Sequence, residues 1–198
     1  SPYRRIVNSS YRKFVVLIIV STIPTGIIGF VGKDVVEQAS GLLIVPGICL
    51  IITAILLFIA DRCKGGDKLP KDITYTNAFV VGIAQGVATL PGLSRSGTTI
   101  TACLLSGFNR KFAVKYSFIM SIPAILGAMV LELKDFADLS VSGMDIICYI
   151  VGMVIAAVIG YICIKTMLVI VRNRKFRVFA IYCLIVGLIS IGGFFYTL

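Results

Sequence analysis

An arginine lies in the middle of an apolar stretch of the sequence, among small hydroxyl residues. Residues 94–99 read Ser-Arg-Ser-Gly-Thr-Thr, and the arginine among them is Arg95. A guanidinium presents a planar fork of N–H donors that matches phosphate oxygens, and the start of a helix adds unpaired backbone N–H groups with a partial positive charge. Gly92 and Gly97 let the backbone approach a ligand without side-chain obstruction. This combination predicts a binding site for a phosphate or diphosphate.

The same residues also have structural interpretations. Ser96, Thr98 and Thr99 are of the types that cap helices, and Arg95 could pair with a carboxylate. No Asp or Glu lies in the middle of an apolar run, so the sequence offers no such partner. Because a charge within an apolar stretch is costly enough to indicate a function or a partner, we favour the anion site.

The residues just upstream are less specific. Gly82 and Gly86 are spaced as GxxxG, a pattern that is more often a helix-packing face than a ligand site. Two roles stay open for Gln85, which lies between them: a hydrogen bond to another helix or a contact with the ligand.

These residues must be positioned by helices in a membrane. Of the 198 residues, 58% are hydrophobic and only 14% are charged, and the mean hydropathy is +1.02. A membrane-spanning helix needs about 20 apolar residues, and its backbone must satisfy its own hydrogen bonds. The pattern predicts an all-α, polytopic membrane protein with a single domain over residues 1–198. The five predicted spans are residues 14–31, 41–60, 112–131, 146–171 and 178–198.

The stretch that holds Arg95 behaves differently from the five spans. Residues 78–90 and 98–108 are apolar, but at about 1.5 Å of rise per residue neither segment can cross a bilayer. Residues 91–97 join them with a Pro-Gly start that a continuous helix would not adopt. The sequence therefore predicts a re-entrant helical hairpin over about 78–108. Such irregular backbone at membrane depth must be buried in protein or line a wet cavity.

Basic residues cluster in some of the connections between the predicted spans and are scarce in the others, and this pattern supports the five spans and the hairpin. The basic clusters are Arg4, Arg5, Arg12, Lys13; Arg62, Lys64, Lys68, Lys71; Arg110, Lys111; and Lys165, Arg172, Arg174, Lys175, Arg177. The other connections hold Lys33, Lys134, Asp34, Glu37, Glu132, Asp135, Asp138 and Asp145. The positive-inside rule then predicts a cytoplasmic N-terminus and an extracytoplasmic C-terminus. A hairpin that returns to its own side keeps the third cluster on the cytoplasmic face.

The same distribution explains the net charge of +10 without nucleic acid as a partner, since basic loops suit anionic lipid headgroups. Five of the six cysteines lie in apolar segments, and no CxxC pair or metal-ligand spacing occurs. The sequence alone therefore predicts no protein-bound metal.

A longer run of residues resembles the signature of a known family. Residues 82–100, Gly-Ile-Ala-Gln-Gly-Val-Ala-Thr-Leu-Pro-Gly-Leu-Ser-Arg-Ser-Gly-Thr-Thr-Ile, resemble the second signature of the undecaprenyl-diphosphate phosphatases, also called bacitracin-resistance proteins. The resemblance continues through residues 116–118, 122–123 and 179–182, and so covers nearly the whole chain. The long PGxSRSG-type signature is far more specific than a glycine motif alone.

The resemblance implies an enzyme of cell-wall lipid recycling in the bacterial plasma membrane. Members of the family hydrolyse undecaprenyl diphosphate to the monophosphate, assisted by Mg²⁺ or Ca²⁺, and their fold uses inverted repeats with two re-entrant hairpins. Their active site opens to the extracytoplasmic side. The implied partners are the C55 isoprenoid diphosphate and membrane lipids, and a homodimer is kept as an option for the oligomeric state.

The resemblance also implies roles for residues of the signature. Arg95 would bind the diphosphate, and the catalytic group as a whole would be Arg95, Ser94, Ser96 and Thr99. The substrate-binding group would be Gln85, Gly92, Gly97 and Thr98.

One departure from the family pattern bears on catalysis. The family's first signature, a Glu-rich segment with a serine and a histidine, has no counterpart here, and the chain has no histidine. We expect either a fragment of a longer enzyme or a truncated relative. A noncatalytic isoprenoid-phosphate binder or transporter is the alternative from a different functional class, and an anion channel lined by Arg95 is a third.

Overall fold

The computed structural model describes residues 2–136, 143–172 and 176–196, and within these ranges the chain forms helices and no strand. Their order is α1 (Pro2–Val31), α2 (Lys33–Ser40), α3 (Ile44–Arg62), α4 (Tyr75–Val87), α5 (Arg95–Leu105), α6 (Arg110–Phe136), α7 (Gly143–Arg172) and α8 (Phe176–Tyr196). Asp138, Arg174 and Lys175, which entered the charge argument, lie outside the described residues, as do residues 197–198 of the predicted fifth span.

Five of the described helices are long and apolar enough to cross a membrane. These segments are Ser10–Val31, Ile44–Arg62, Arg110–Leu131, Gly143–Thr166 and Phe176–Tyr196. Their number and order match the sequence prediction, with boundaries displaced by a few residues. The prediction of an all-α polytopic membrane protein is confirmed, whereas the single domain and the inverted repeat stay predictions.

Helices α4 and α5 form the hairpin. They contain only 13 and 11 residues. The chain just before α4 pairs with the chain just after α5: Lys68 N–H donates to Gly107 O (3.2 Å), and Asn109 N–H donates to Lys68 O (3.0 Å). The hairpin therefore enters and leaves on the same side of the molecule, which we call its open end.

Helix α4 packs closely along α1. A Cβ atom added to Gly82 would lie 2.2 Å from the carbonyl oxygen of Ser21, and one added to Gly86 would lie 2.8 Å from Cβ of Ile28. The Thr25 hydroxyl donates to Gly82 O at 2.8 Å. Both glycines of the GxxxG pattern thus lie at a helix contact, as the packing interpretation expects.

The residues that join α4 to α5, together with the first turn of α5, form what we call the tip, and α3 holds them. Thr53 Oγ1 donates to Gly92 O (3.1 Å) and accepts from Ser94 N–H (2.9 Å). Thr53 is the central residue of the 19-residue α3, so Ser94 lies about 14 Å along that helix from either end. The tip is therefore fixed near the middle of a membrane-spanning helix.

The remaining helices differ in how much they pack. Helix α8 contacts α3 through Gly47 and Gly187, where a Cβ on Gly187 would lie 2.9 Å from Gly47 O. Helix α6 joins α1 through the hydroxyls of Ser21 and Tyr116, which lie 2.6 Å apart. In α7, by contrast, no residue of the span Gly143–Thr166 is buried.

Candidate functional site

The site is built on the first turn of α5. Ser94 is the N-cap, and its Oγ accepts from Gly97 N–H at 3.1 Å. The sequence interpretation started this half-helix at residues 97–98. The structure corrects that start to Arg95, because the Ser94 side chain satisfies the first turn. The N–H groups of Arg95 and Ser96 then lie at the first two helical positions, where no intrahelical acceptor exists.

The guanidinium of Arg95 is available for a ligand. The side chain is exposed, and within the described parts of the chain it makes no hydrogen bond or ion pair. Two cavities border it, one on the α1 side and one on the α6 side. A cation at the positive end of a helix, with no carboxylate beside it among the described side chains, is an environment that attracts an anion.

The first of these, the large cavity, has a volume of about 580 Å³ and lies between α1, α4 and α6. Arg95, Gln85 and three threonines contribute its polar groups; the threonines are Thr22, Thr25 and Thr89. A further space of about 350 Å³ adjoins it and shares Thr89. This outer space reaches Lys33 and Glu37 on α2, on the side opposite the open end of the hairpin.

Gln85 has one satisfied and one unsatisfied polar atom. Its side chain is 1% exposed, and its Nε2 donates to Met120 O at 3.4 Å. Its Oε1 is buried and finds no partner within the described residues. A buried acceptor without a partner is rare and costly. Of the two roles left open for Gln85, the helix-to-helix bond is therefore present, and one atom remains for a ligand.

The second cavity, the polar cavity, has a volume of about 230 Å³ and lies between α5 and α6. Its polar lining consists of Arg95, Ser96, Thr99, Ser117 and Ser121. Thr99 Oγ1 donates to Arg95 O at 2.9 Å and lies 2.6 Å from Ser117 Oγ. The Thr99 hydroxyl therefore also ties α5 to α6.

The structure thus brings four of the eight predicted site residues to the cavities beside Arg95: Gln85, Arg95, Ser96 and Thr99. Gly92 lies with φ +87° against α3, where a Cβ would be 2.4 Å from Pro46 O. A Cβ on Gly97 would be 3.0 Å from Ser94 Oγ. Thr98 Oγ1 is buried without a partner among the described residues. The direct substrate contacts of Ser94, Gly92, Gly97 and Thr98 stay predictions.

Sequence reasoning missed the residues that other helices bring to the site. Ser117 and Ser121 are spaced by four residues on α6, and this spacing places both on one helix face. That spacing was the available signal. Thr53, which holds the tip, is a polar residue in an apolar span and carried no further signal of its partner.

The described side chains at the site do not fit a divalent cation. Mg²⁺ and Ca²⁺ require oxygen ligands and in proteins use carboxylates, and none of the described side chains that line the two cavities bordering Arg95 is a carboxylate. Within the described residues, no group of three or more His, Cys, Asp or Glu side chains could hold a metal ion.

Fold and site together define a multi-pass membrane protein with a short helical hairpin, in which Arg95 lies at the tip and lines two cavities. Residues 2–189 match the family described as "Bacitracin resistance protein BacA". The chain belongs to this family, and the resemblance stated from the signature is confirmed.

Curated relatives cover most of the chain and carry the name "Undecaprenyl-diphosphatase". Examples come from Halothermothrix orenii (42% identical over 180 residues, 91% of this chain and 70% of the relative) and Methanosphaera stadtmanae (40% over 180 residues, 91% and 64%). Another, from Carboxydothermus hydrogenoformans, is 43% identical over 186 residues, 92% of this chain and 70% of the relative. The chain therefore spans about two thirds of the length of these relatives.

Proposed function

We propose that this chain carries the diphosphate-binding part of an undecaprenyl-diphosphate phosphatase in a bacterial plasma membrane. The observation that carries the proposal is the Arg95 guanidinium, which has no partner in the described residues and lies at the start of α5 between two cavities. The name shared by the curated relatives supports the same substrate.

The tip offers the groups that a diphosphate needs. The Arg95 fork binds two oxygens of one phosphate. The backbone N–H groups of Arg95 and Ser96 lie at the N-terminus of α5, the positive end of the helix dipole. The hydroxyl of Ser96 adds a neutral donor at the wall of the polar cavity. In hydrolysis, water attacks the terminal phosphorus, the bond from that phosphorus to the bridging oxygen breaks, and the bridging oxygen stays with the lipid monophosphate. Arg95 stabilises the negative charge that gathers on these oxygens.

Among the described residues, none at the tip supplies a base that would activate the attacking water. The chain has no histidine, and among the described side chains no carboxylate lines the two cavities that border Arg95. We place the general base in the Glu-bearing first signature of the family, which this sequence does not contain. We place the Mg²⁺ or Ca²⁺ that the resemblance implies at the same first signature, because the described residues provide no ligand set for it.

The proposed orientation places the open end of the hairpin in the cytoplasm. Lys13, Lys68 and Arg110 lie at this end and donate to backbone carbonyl groups there. The large cavity continues toward Lys33 and Glu37 at the opposite end. Since basic residues face the cytoplasm, the opposite end of the molecule faces the extracytoplasmic side. Phosphate then leaves through the large cavity to that side. A homodimer stays a prediction.

The second candidate function is a noncatalytic binder or transporter of isoprenoid phosphates, with the same anion site. The lack of a base among the described side chains at the tip favours it. The two functions differ in product, because a phosphatase releases inorganic phosphate and a binder retains the intact lipid.

The deciding experiment measures phosphate release from undecaprenyl diphosphate by the purified chain in detergent, with Mg²⁺ and in parallel with a chelator. In the same samples, retention of radiolabelled lipid on the protein reports binding. We expect Arg95→Ala to weaken binding or turnover on the order of 100-fold, the size of effect seen when a charge-stabilising donor is removed. Arg95→Lys keeps the charge without the fork and should recover only part of it.

Binding that depends on Arg95 but yields no phosphate would reassign the chain to the binder. Binding that is unchanged in Arg95→Ala would overturn the anion site and the proposed function with it.

A further inference from the structure

Helix α6 carries a buried serine whose hydroxyl bonds to α5 instead of to its own helix. Ser117 is 3% exposed, and its Oγ lies 2.6 Å from Thr99 Oγ1. Hydroxyl side chains in helices commonly donate to the carbonyl four residues earlier, as Thr22 does to Ile18 O at 2.8 Å. The Ser117 side chain makes no such bond, and Thr99 is its only hydrogen-bond partner within the described residues.

We propose that Ser117 is a positioning residue for the diphosphate site, which acts on Arg95 through Thr99. The proposal rests on the proposed function, because the quantity that Ser117 changes is the affinity of the tip for a lipid diphosphate.

The direction of the hydrogen bonds between the three residues follows from their protons. Thr99 Oγ1 has one proton and donates it within α5, to Arg95 O at 2.9 Å, with Ser96 O at 3.3 Å as the longer alternative. Thr99 therefore accepts in its contact with Ser117, and the Ser117 hydroxyl is the donor. The reverse direction would leave the buried Ser117 proton without an acceptor among the described residues, which is costly. A hydrogen-bonded chain thus runs from α6 to the first residue of α5.

The first turn of α5 is consequently held from two sides. On the α3 side, Ser94 N–H donates to Thr53 Oγ1 at 2.9 Å. On the α6 side, Ser117 reaches Arg95 O through Thr99. The Arg95 guanidinium makes no hydrogen bond or ion pair of its own within the described residues, so these backbone contacts determine where its side chain begins. Bidentate binding by a guanidinium fork is sensitive to displacements of about 1 Å.

Direct contact between Ser117 and the anion is disfavoured by the same proton count. Since the Ser117 proton is used on Thr99, its oxygen offers only lone pairs to the polar cavity, and lone pairs do not bind an anion. Ser121 lines the same cavity but donates within α6, to Phe118 O at 2.7 Å. Of these two serines on one face of α6, Ser117 is the one that connects the helix to Arg95.

The test compares two serines that each join a pair of helices. Ser117→Ala removes the donor to Thr99. Ser190→Ala is the matched control, because Ser190 Oγ donates to Leu43 O at 2.9 Å and so joins α8 to the start of α3, away from the tip. Both substitutions are made in the unsubstituted chain and in Arg95→Ala. Retention of radiolabelled undecaprenyl diphosphate in detergent gives the Kd, and thermal unfolding followed by circular dichroism gives the stability.

We expect Ser117→Ala to raise the Kd about 3- to 10-fold, because one hydrogen bond less lowers the fraction of molecules that hold α5 in the binding position. Thr99→Val should raise the Kd at least as much, and Thr99→Ser, which retains the hydroxyl, should restore most of the affinity. Added to Thr99→Val or to Arg95→Ala, Ser117→Ala should raise the Kd by less than about twofold, since the residues act as one unit. Ser190→Ala should lower the unfolding temperature and leave the Kd unchanged.

The outcomes separate the positioning role from its alternatives. If Ser117→Ala lowers the unfolding temperature but leaves the Kd unchanged, Ser117 has a structural role only, and the proposed function stands. If its effect on the Kd persists undiminished in Arg95→Ala, Ser117 acts on the ligand independently of Arg95 and the positioning role is wrong. Lipid binding that does not depend on Arg95 would overturn both proposals. Ser117→Cys, which donates only weakly, gives the same comparison if Ser117→Ala does not fold.

Discussion

The two ends of the α4–α5 hairpin both carry basic side chains, but in opposite surroundings. At the open end, Lys68 Nζ donates to Ser106 O (2.9 Å), at the C-terminus of α5. Arg110 there donates to Ala60 O (3.0 Å) and Cys63 O (2.8 Å), at the C-terminus of α3. At the tip, Arg95 lies at the N-terminus of α5 and has no such acceptor within the described residues.

This difference separates structural charges from a functional one. Helix C-termini carry a partial negative charge, so the cations at the open end are neutralised by carbonyl groups that would otherwise lack partners. A helix N-terminus carries a partial positive charge, and Arg95 adds to it. An anion is therefore attracted to the tip and not to the open end, where carbonyl groups already neutralise the cations. Substitutions at the two ends should accordingly affect different measurements.

The largest effect on stability is expected for Gly92→Ala. Gly92 has φ +87°, and the new Cβ would lie 2.4 Å from the backbone oxygen of Pro46, which cannot move away as a flexible side chain could. The left-handed conformation alone costs about 1–2 kcal/mol, and the displaced backbone adds to it, so we expect a loss of about 3 kcal/mol. Thermal unfolding in detergent, followed by circular dichroism, measures it.

Gly152→Ala is the matched control, because a Cβ at Gly152 meets nothing within 4 Å. This substitution should be neutral or slightly stabilising, since alanine favours a helix over glycine by roughly 1 kcal/mol. Equal unfolding curves for the two variants would show that the tip does not contact α3 as described.

An intermediate effect is expected for Arg110→Met at the open end. The side chain donates to two carbonyl groups and lies over the Phe176 ring, with 5.5 Å between Cζ and the ring centroid. Hydrogen bonds from a charged donor contribute about 1.5–3 kcal/mol, so the free energy of unfolding should fall by about 2 kcal/mol. The affinity of the folded protein for undecaprenyl diphosphate should stay unchanged, which is the reverse of the Arg95→Ala result.

Lys111→Met removes a neighbouring charge whose side chain makes no hydrogen bond or ion pair in the described part of the chain. Its unfolding curve should match that of the unsubstituted protein. If Arg110→Met instead weakens lipid binding as strongly as Arg95→Ala, the distinction between the two ends is wrong.

The spans, the hairpin and the position of Arg95 could be predicted from the sequence. Apolar runs have a length that the bilayer sets, so the five spans were predictable, and the short segments on either side of residues 91–97 predicted the hairpin. Arg95 was predictable because a charge stands out in an apolar run. The two acceptors of Arg110 lie 50 and 47 residues away along the chain, and Thr53 lies 41 residues from its partner at the tip. These contacts could not be predicted, because local sequence patterns do not encode such pairing.

The start of α5 was misplaced for a related reason. Serine, threonine and glycine all occur near helix starts, and residues 94–99 contain all three types. Which of them becomes the cap depends on where α3 holds the preceding backbone. Since Thr53 Oγ1 accepts from Ser94 N–H at 2.9 Å, Ser94 is fixed at the cap, and the helix begins with Arg95. The charge therefore lies in the first turn rather than in the loop before it.

The smallest effect is expected for Thr53→Val, which tests this last contact. Valine has nearly the same shape as threonine but lacks the hydroxyl that donates to Gly92 O and accepts from Ser94 N–H. Interhelical hydrogen bonds in membrane proteins contribute about 0.6 kcal/mol each and at most about 1.7, so the two bonds together predict a loss of about 1–2 kcal/mol. Thr53→Ser retains the hydroxyl and should lose clearly less.

The same variants should also separate stability from positioning. If Thr53 holds α5 in register, Thr53→Val displaces the N-terminus of α5 and lowers the affinity for undecaprenyl diphosphate several-fold, while Thr53→Ser restores it. The displacement is small compared with removal of the guanidinium, so the loss should stay well below the roughly 100-fold expected for Arg95→Ala. Destabilisation by Thr53→Val with unchanged affinity would mean that Arg95 reaches its ligand wherever the tip lies, and that α3 supports the fold without positioning the site.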